Sequence, residues 1–385
     1  VVRISVVDSL DGVDPAAWNR LAASSGPGTC CNPFLRHEFL HALIDSGCAS
    51  AATGWTPQFL LLERDGELSG AMPLFLKTHS YGEYVFDWAW ADAYARHGLE
   101  YYPKLLCAIP FTPVGGPRLL AADAADRMLL AEKALELAGD VSSLHVLFAP
   151  EEQAALLQSQ GMLLRRTVQF HWMNDGYTDF DDFLSRLSHQ KRKNLKQERR
   201  KVREAGVSFT RLRGEEIGTE HWALFNRCYR STYHAHRSTP YLSQEFFLRI
   251  GRSMPEHTLL IVAERDKRPI AAAFNLYTPD TLYGRYWGAL EFVPLMHFEA
   301  CYYQAIEFCI ENGLRCFEGG AQGEHKLFRG LLPVETLSAH WLAHPRFSAA
   351  VEDFLQRESV GITQYVNELN EHSPFRHAAP PAGGG

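Results

Sequence analysis

Two stretches of the chain carry the same alternation of apolar and charged positions. Residues 60–77 read LLLERDGELSGAMPLFLK, residues 261–278 read IVAERDKRPIAAAFNLYT, and a constant offset of 201 aligns them without a gap. In each, an apolar run is interrupted by Glu-Arg-Asp, at Glu63 and at Glu264, and a second apolar run opens with small residues. Apolar run, charged turn, apolar run predicts a β-hairpin. The elements that follow are parallel as well. An aromatic strand is predicted over Tyr81–Trp90 and over Thr281–Trp287, then a helix over Asp123–Ala138 and over His297–Asn312. Short strands at Ser143–Phe148 and Arg315–Glu318 come next. Repeats of tens of residues would predict a solenoid, whereas so long a period predicts a duplicated domain. Each copy is then a mixed α/β unit with a mostly antiparallel sheet flanked by helices.

A charged helical stretch separates the copies. Asp179, Asp181 and Asp182 supply capping and first-turn carboxylates. The helix runs on through FLSRLSHQKRKNLKQERRKVREAG with Phe183, Leu184, Leu187, Leu195 and Val202 as its buried stripe. Gly206 ends it, and VSFTRLR begins a strand. The expected organisation is an N-terminal unit over 1–175, a C-terminal unit over 176–373 and a loose tail over 374–385.

The composition narrows the class. The 385 residues are 46% hydrophobic and 22% charged with a net charge of −7, which describes a globular chain. The balance excludes a surface coated for nucleic acid and leaves room for one local basic patch. No apolar run approaches the ~20 residues of a bilayer span. VVRISVVDSLDGVD has no cationic segment leading into an apolar one, so no signal peptide is expected and a cytoplasmic location is. The eight cysteines form no C-x-x-C pair and no zinc spacing, which predicts packed, reduced thiols.

Three features bear on chemistry. From Arg186 to Arg203 there are nine Lys or Arg and one acid, Glu198. Like charges on one helix repel, so the run serves as a solvated face or binds an anion. Lys191, Arg192, Lys193, Lys196 and Arg200 are the candidate phosphate contacts. The second feature is dense. LYGRYWGALEFVPLMHFEACYY (282–303) and FEGGAQGEHKLFRG (317–330) place Arg285, Tyr286, Trp287, His297, Glu299, Tyr303, Glu318, Gln322, Glu324, His325, Lys326 and Arg329 where core strands and a helix start are expected. Burying such groups unpaired is costly, so they form either a structural ion-pair network or a site, with Gly319, Gly320 and Gly323 allowing close backbone approach. His297, Glu299, Glu324 and His325 match no established zinc motif, and no metal is expected. Cys301 near His297 and His325 admits a covalent nucleophile, though packing in an amphipathic helix is the commoner role. Third, Ile109–Arg118 holds Gly115-Gly116 between prolines, either a phosphate cradle or a stiff groove wall.

These strings resemble a family. YGRYWG (283–288), HFEACYYQ (297–304) and GAQGEHK (320–326) are similar to signatures of FemAB-like N-acyltransferases linked to peptidoglycan biosynthesis or recognition, in the GNAT superfamily. So are Pro110–Arg118, Arg192–Arg200, Thr239–Leu242 and Phe246-Phe247, and the resemblance runs from Asn32 to about Glu358. It implies tandem GNAT-like domains and transfer of an acyl or aminoacyl group to an amine, with a peptidoglycan precursor or other peptide as acceptor. The donor would be aminoacyl-tRNA or acyl-CoA, with no tightly bound cofactor. Lys191–Gly206 resembles the basic segment that opens the second Fem domain. Lys326 with Arg329-Gly330 resembles its lysine-containing segment. The pyrophosphate motif of acetyl-CoA enzymes is not found; Arg203–Ser208 fits only its first part, at a helix end.

On this basis Glu299, Glu324 and His325 are the expected proton acceptors. Lys326, Arg329 and Arg285 are the expected oxyanion partners. Arg285, Tyr286, Trp287, His297, Tyr303, Gln322 and Arg329 are the expected substrate contacts. An acetyl-CoA-dependent acetyltransferase acting on a small amine and a non-catalytic muropeptide-recognition module are the alternatives.

Overall fold

A computed structural model describes residues 1–25, 32–320 and 323–376. The first half contains β1 (Val2–Val7), α1 (Pro15–Ser24), α2 (His37–Asp45), β2 (Trp55–Pro57), β3 (Phe59–Arg64), β4 (Glu67–Met72), β5 (Leu74–Lys77), α3 (Trp88–Arg96), β6 (Lys104–Cys107), α4 (Ala124–Ala138), β7 (Ser143–Ala149), α5 (Glu151–Ser159) and β8 (Leu163–Met173). The second contains α6 (Phe180–Arg186), α7 (His189–Glu204), β9 (Val207–Arg213), α8 (Thr219–Ala235), α9 (Gln244–Ser253), β10 (Thr258–Arg265), β11 (Arg268–Tyr277), β12 (Thr281–Ala289), α10 (Met296–Phe298), a π-helical turn at Glu299–Tyr303, α11 (Gln304–Asn312), β13 (Cys316–Glu318), β14 (Leu332–Leu342) and α12 (Pro345–Glu371). From β1 and again from β9 the order is strand, two helices and then a hairpin (β3–β4 and β10–β11), with the short β2 interposed in the first half, and the fold is the tandem GNAT-like mixed α/β architecture.

The two hairpins share their register pair for pair. Leu61↔Ala71, Leu62↔Gly70 and Glu63↔Leu68 correspond to Val262↔Ala272, Ala263↔Ala271 and Glu264↔Pro269, with a bulge at the same place in each. Both turns require left-handed backbone at two successive residues, Asp65-Gly66 and Asp266-Lys267. That geometry matches the twist of the flanking strands, and Asp and Gly tolerate it.

The sheets join the halves. Strands β1, β3 and β4 form one sheet, and the other eleven run β2-β5-β6-β7-β14-β8-β13-β12-β11-β10-β9. The late strands are exchanged: β14 lies between β7 and β8, and β8 lies between β14 and β13. Each half therefore completes its sheet with a strand from the other.

Three expectations are corrected. Residues 81–87 are a loop leading into α3, because Gly82 and Tyr84 take positive φ and the loop folds inward. There Glu83 and Asp87 meet the buried Lys104 ammonium. The charged helix is two helices. Leu187 leaves the helix with ψ 155°, bridges Phe375, and the Ser188 amide donates to Pro374. That contact also orders the first residues of the expected tail, with the Phe375 ring against Phe183. Residues 377–385 lie outside the described chain, as do Cys30 and Cys31. The six described cysteines are free thiols. No described helix is long and apolar enough to cross a membrane.

Candidate functional site

Strands β12 and β13 run parallel, and they pair only over Thr281–Tyr283 and Cys316–Glu318. β12 continues to Ala289 while β13 stops, so the sheet opens beyond Tyr283 and Glu318. A cavity of about 100 Å³ occupies the opening, lined by Asn275, Arg285, Trp287, His297, Cys301 and Tyr302 among others. Glycines permit the approach of neighbouring elements. A side chain at Gly288 would stand 2.0 Å from the Cys228 carbonyl oxygen of α8, so this glycine of the YGRYWG string is a packing requirement.

Two cations converge here. Arg285 is nearly sealed, and its guanidinium donates to the Gly284 carbonyl at 2.9 Å and the Glu318 carbonyl at 3.1 Å. It also donates to the Glu318 carboxylate at 2.8 Å. Lys326 is 6% exposed and its ammonium donates to no described residue. A methyl group placed on Gly320 would stand 3.7 Å from Lys326 Nζ and 3.9 Å from Arg285 Nη1. Both are ordinary contact distances, and it is the φ of +83° at Gly320 that favours glycine there. Burial, and then repulsion from Arg285, lowers the Lys326 amine to about 8. An unpartnered ammonium held beside a guanidinium is a place for an anion or a developing oxyanion.

The remaining expected residues separate. Glu299 is buried, and both its oxygens accept from Arg199 at 2.8–3.1 Å, with Gln304 adding a bond at 2.8 Å. Its carboxylate is committed to an ion pair that Glu307 shares, and it offers no free oxygen to an amine. Glu324 is exposed and accepts from the Tyr365 hydroxyl of α12 at 3.3 Å. His325 Nε2 meets the Tyr302 hydroxyl at 3.2 Å, and partial burial keeps its imidazole neutral. Arg329 binds Glu198 at 2.9 Å and caps the Phe298 ring at 3.5 Å, while Tyr303 donates to the same Glu198. Through Glu198 and Arg199, the Arg329, Tyr303 and Glu299 side chains pin α7 to the 324–329 turn and the 296–312 helix, whereas Glu324 reaches α12 and His325 reaches the cavity-lining Tyr302. His297 does line it, against Trp287, and burial lowers its imidazole to about 4. The Tyr286 ring stacks on Phe274 in the core, at the cavity floor. Cys301 is raised beyond any thiolate role by burial. Gln322 lies outside the described residues. No group of three or more His, Cys, Asp or Glu among the described residues is placed to hold a metal ion.

The helical period splits α7 into two faces. Glu198 turns inward, while Arg192, Lys193, Lys196, Arg200 and Arg203 line an open groove of about 850 Å³, with Arg199 at its inner edge where it pairs with Glu299 and Glu307. Lys196 reaches Asp181 at 3.2 Å and Arg200 reaches Glu204 at 3.4 Å, but Arg192, Lys193 and Arg203 have no carboxylate partner among the described residues. Lys191 leaves this face and lies 3.5 Å over the Phe328 ring.

A third cavity, about 1040 Å³, lies between the halves. Gly115, Gly116 and Pro117 wall one side, and Thr281, Tyr283, Glu318 and His171 the other. Glu318 thus faces this groove while holding Arg285 at the opening, so the two cavities meet at that ion pair. His171 carries no motif. The sign it leaves in the sequence is the alternation Gln169-Phe170-His171-Trp172, which puts two polar groups on one face of a strand in mid-sheet.

The family model described as FemAB-like, peptidoglycan biosynthesis/recognition, matches residues 9–377. Among solved structures, FemX is 12% identical with a TM-score of 0.55, covering 88% of this chain and 98% of its own. L-PGS from Bacillus licheniformis is 11% identical with a TM-score of 0.54, covering 89% and 97%. A conserved protein of unknown function from Bacteroides thetaiotaomicron is 11% identical with a TM-score of 0.54, covering 88% and 100%. No curated protein matches.

Proposed function

Because the chain belongs to the FemAB-like family of peptidoglycan biosynthesis or recognition, we propose that it transfers an acyl or aminoacyl group to an amine, with the reacting carbonyl in the opening between β12 and β13. The observation that carries this reading is Lys326: a residue only 6% exposed whose ammonium has no partner among the described residues, beside Arg285. In the tetrahedral intermediate the carbonyl oxygen becomes an anion, and preorganised cations in a dry site favour that state over the neutral substrate. The unpaired cations of α7 hold the phosphates of the donor, aminoacyl-tRNA or acyl-CoA. The groove between the halves admits the acceptor, a peptidoglycan precursor or another peptide with a free amine, and leads it to the Arg285–Glu318 pair.

The test is a transfer assay read by mass spectrometry. Alanyl-tRNA and acetyl-CoA are offered as alternative donors, and a muramyl pentapeptide with a free ε-amine as acceptor. Product from either donor, lost in Lys326→Met, supports the reading. Tight binding of the pentapeptide without product from any donor supports a recognition module and overturns it.

A further inference from the structure

Transfer to an amine requires a group that takes the amine's proton, within hydrogen-bond reach of the attacking nitrogen. Glu299 is spent on Arg199 through both oxygens, and Glu318 is held as the counter-charge of Arg285 through Oε2. His171 is free for this task. It sits on β8 in register with Glu318 of β13 and lines the groove between the halves. Its tautomer follows from its neighbour. The Gln169 amide nitrogen donates to the Pro113 carbonyl at 2.6 Å, which turns the Gln169 amide oxygen toward the imidazole. That oxygen lies 3.3 Å from His171 Nε2 and accepts from it, so Nε2 carries the hydrogen. Nδ1 keeps its lone pair and has no partner among the described residues.

We propose that His171 is the general base of the transfer, accepting the proton of the attacking amine at Nδ1. This rests on the reading that the protein is an N-acyltransferase. The amine nitrogen forms a bond to the acyl carbon and the carbonyl electrons move to its oxygen. The nitrogen's proton passes to Nδ1. Collapse then breaks the ester C–O bond of an aminoacyl-tRNA, or the C–S bond of a thioester, and the imidazolium returns the proton to the departing oxygen or sulfur. The charged groups acting on the ring come from three elements: Glu318 of β13, Arg285 of β12, and Lys326 of the 324–329 turn. Burial dominates, and with the two cations it outweighs Glu318, so the imidazole is held neutral below its ordinary value.

Two experiments test this. The first needs no substrate: ¹⁵N-histidine NMR of the intact protein at pH 7. A neutral imidazole hydrogenated on Nε2 supports the assignment, and hydrogen on Nδ1, or a doubly protonated ring, overturns it. The second is the transfer assay with His171→Ala and His171→Gln, each checked for native unfolding behaviour. Turnover lower by about 10²-fold or more, partly restored by free imidazole in the Ala variant, supports a base. Wild-type turnover in both variants overturns the role of His171 and leaves the transferase intact. Absence of product from the wild-type protein with every donor defeats the transferase reading itself.

Discussion

The sheet opens twice, once in each half, and the openings have opposite fates. In the first half, β6 and β7 pair in parallel over Leu105–Cys107 and Leu144–Val146, and Arg118 fills the space beyond. Arg118 is fully buried and makes no ion pair among the described residues, and its guanidinium is spent on the carbonyls of Leu147, Gly116, Pro117 and Val114. In the second half, β12 and β13 part in the same way, and Lys326 stands at the opening with its donors unused by any described residue. Both are buried cations that burial disfavours. The difference lies in their hydrogen bonds. A buried charge whose donors all find carbonyls is part of the scaffold, and one whose donors find nothing has its partner outside the chain. The Gly115-Gly116 loop takes the first role here: its close approach wraps backbone oxygens around Arg118.

Replacing each cation in turn separates the two roles. Lys326→Met should lower turnover about 10²- to 10³-fold, the range for losing one oxyanion partner, and leave unfolding free energy unchanged or higher. Arg118→Met should do the reverse, since it strands buried carbonyls at about 1–3 kcal/mol apiece. A stability loss of about 3 kcal/mol or more in urea unfolding is expected, with turnover per folded molecule kept. Equal loss of activity in the two variants would erase the distinction. Glu299→Gln weakens the Arg199 clasp and should cost about 1–3 kcal/mol of stability while turnover stays within about threefold. A fall of about 10²-fold would restore Glu299 to the chemistry.

Acidity provides a finer test. The Lys326 amine lies near 8 in the folded chain, below its ordinary 10.5. Its cation is populated below pH 8, so its contribution to turnover should decline about tenfold per pH unit above that value. Lys326→Arg, charged throughout, should lose this alkaline limb. A depressed folded value also means that the unfolded chain binds the extra proton between pH 8 and 10.5. The group's contribution to stability therefore rises with pH across that window and is lost as pH falls through 8. The smallest expected effect concerns α7. Arg192→Gln with Lys193→Gln should weaken donor binding and lower its log–log salt slope by about one per cation removed.

The legible parts of the chain are those written locally. The duplicated hairpin was visible because Glu-Arg-Asp turns sit between apolar runs, and its register follows from the turn. Strand exchange was not visible, because β8 and β14 pair across the midline through contacts that no local pattern encodes. The aromatic run Tyr81–Trp90 has strand composition, yet a loop forms because Glu83 and Asp87 must reach the buried Lys104. Within the site, the sequence displays charges and hides their partners. Glu299 looked available until Arg199, a hundred residues earlier in the chain, was placed against it. Lys326 and Arg285 emerged from the same cluster because their strings flank the strands that part. His171 lay concealed between Phe170 and Trp172, with only its alternation with Gln169 to mark it.

The most direct measurement is a crystal structure with a non-hydrolysable aminoacyl-nucleotide amide bound as donor analogue. On the oxyanion reading, its carbonyl oxygen lies within hydrogen-bond reach of Lys326 Nζ and Arg285, beyond Gly284 and Gly319, with its phosphate toward Arg192 and Lys193. Density for the analogue beside Arg118, or away from both openings, would contradict it.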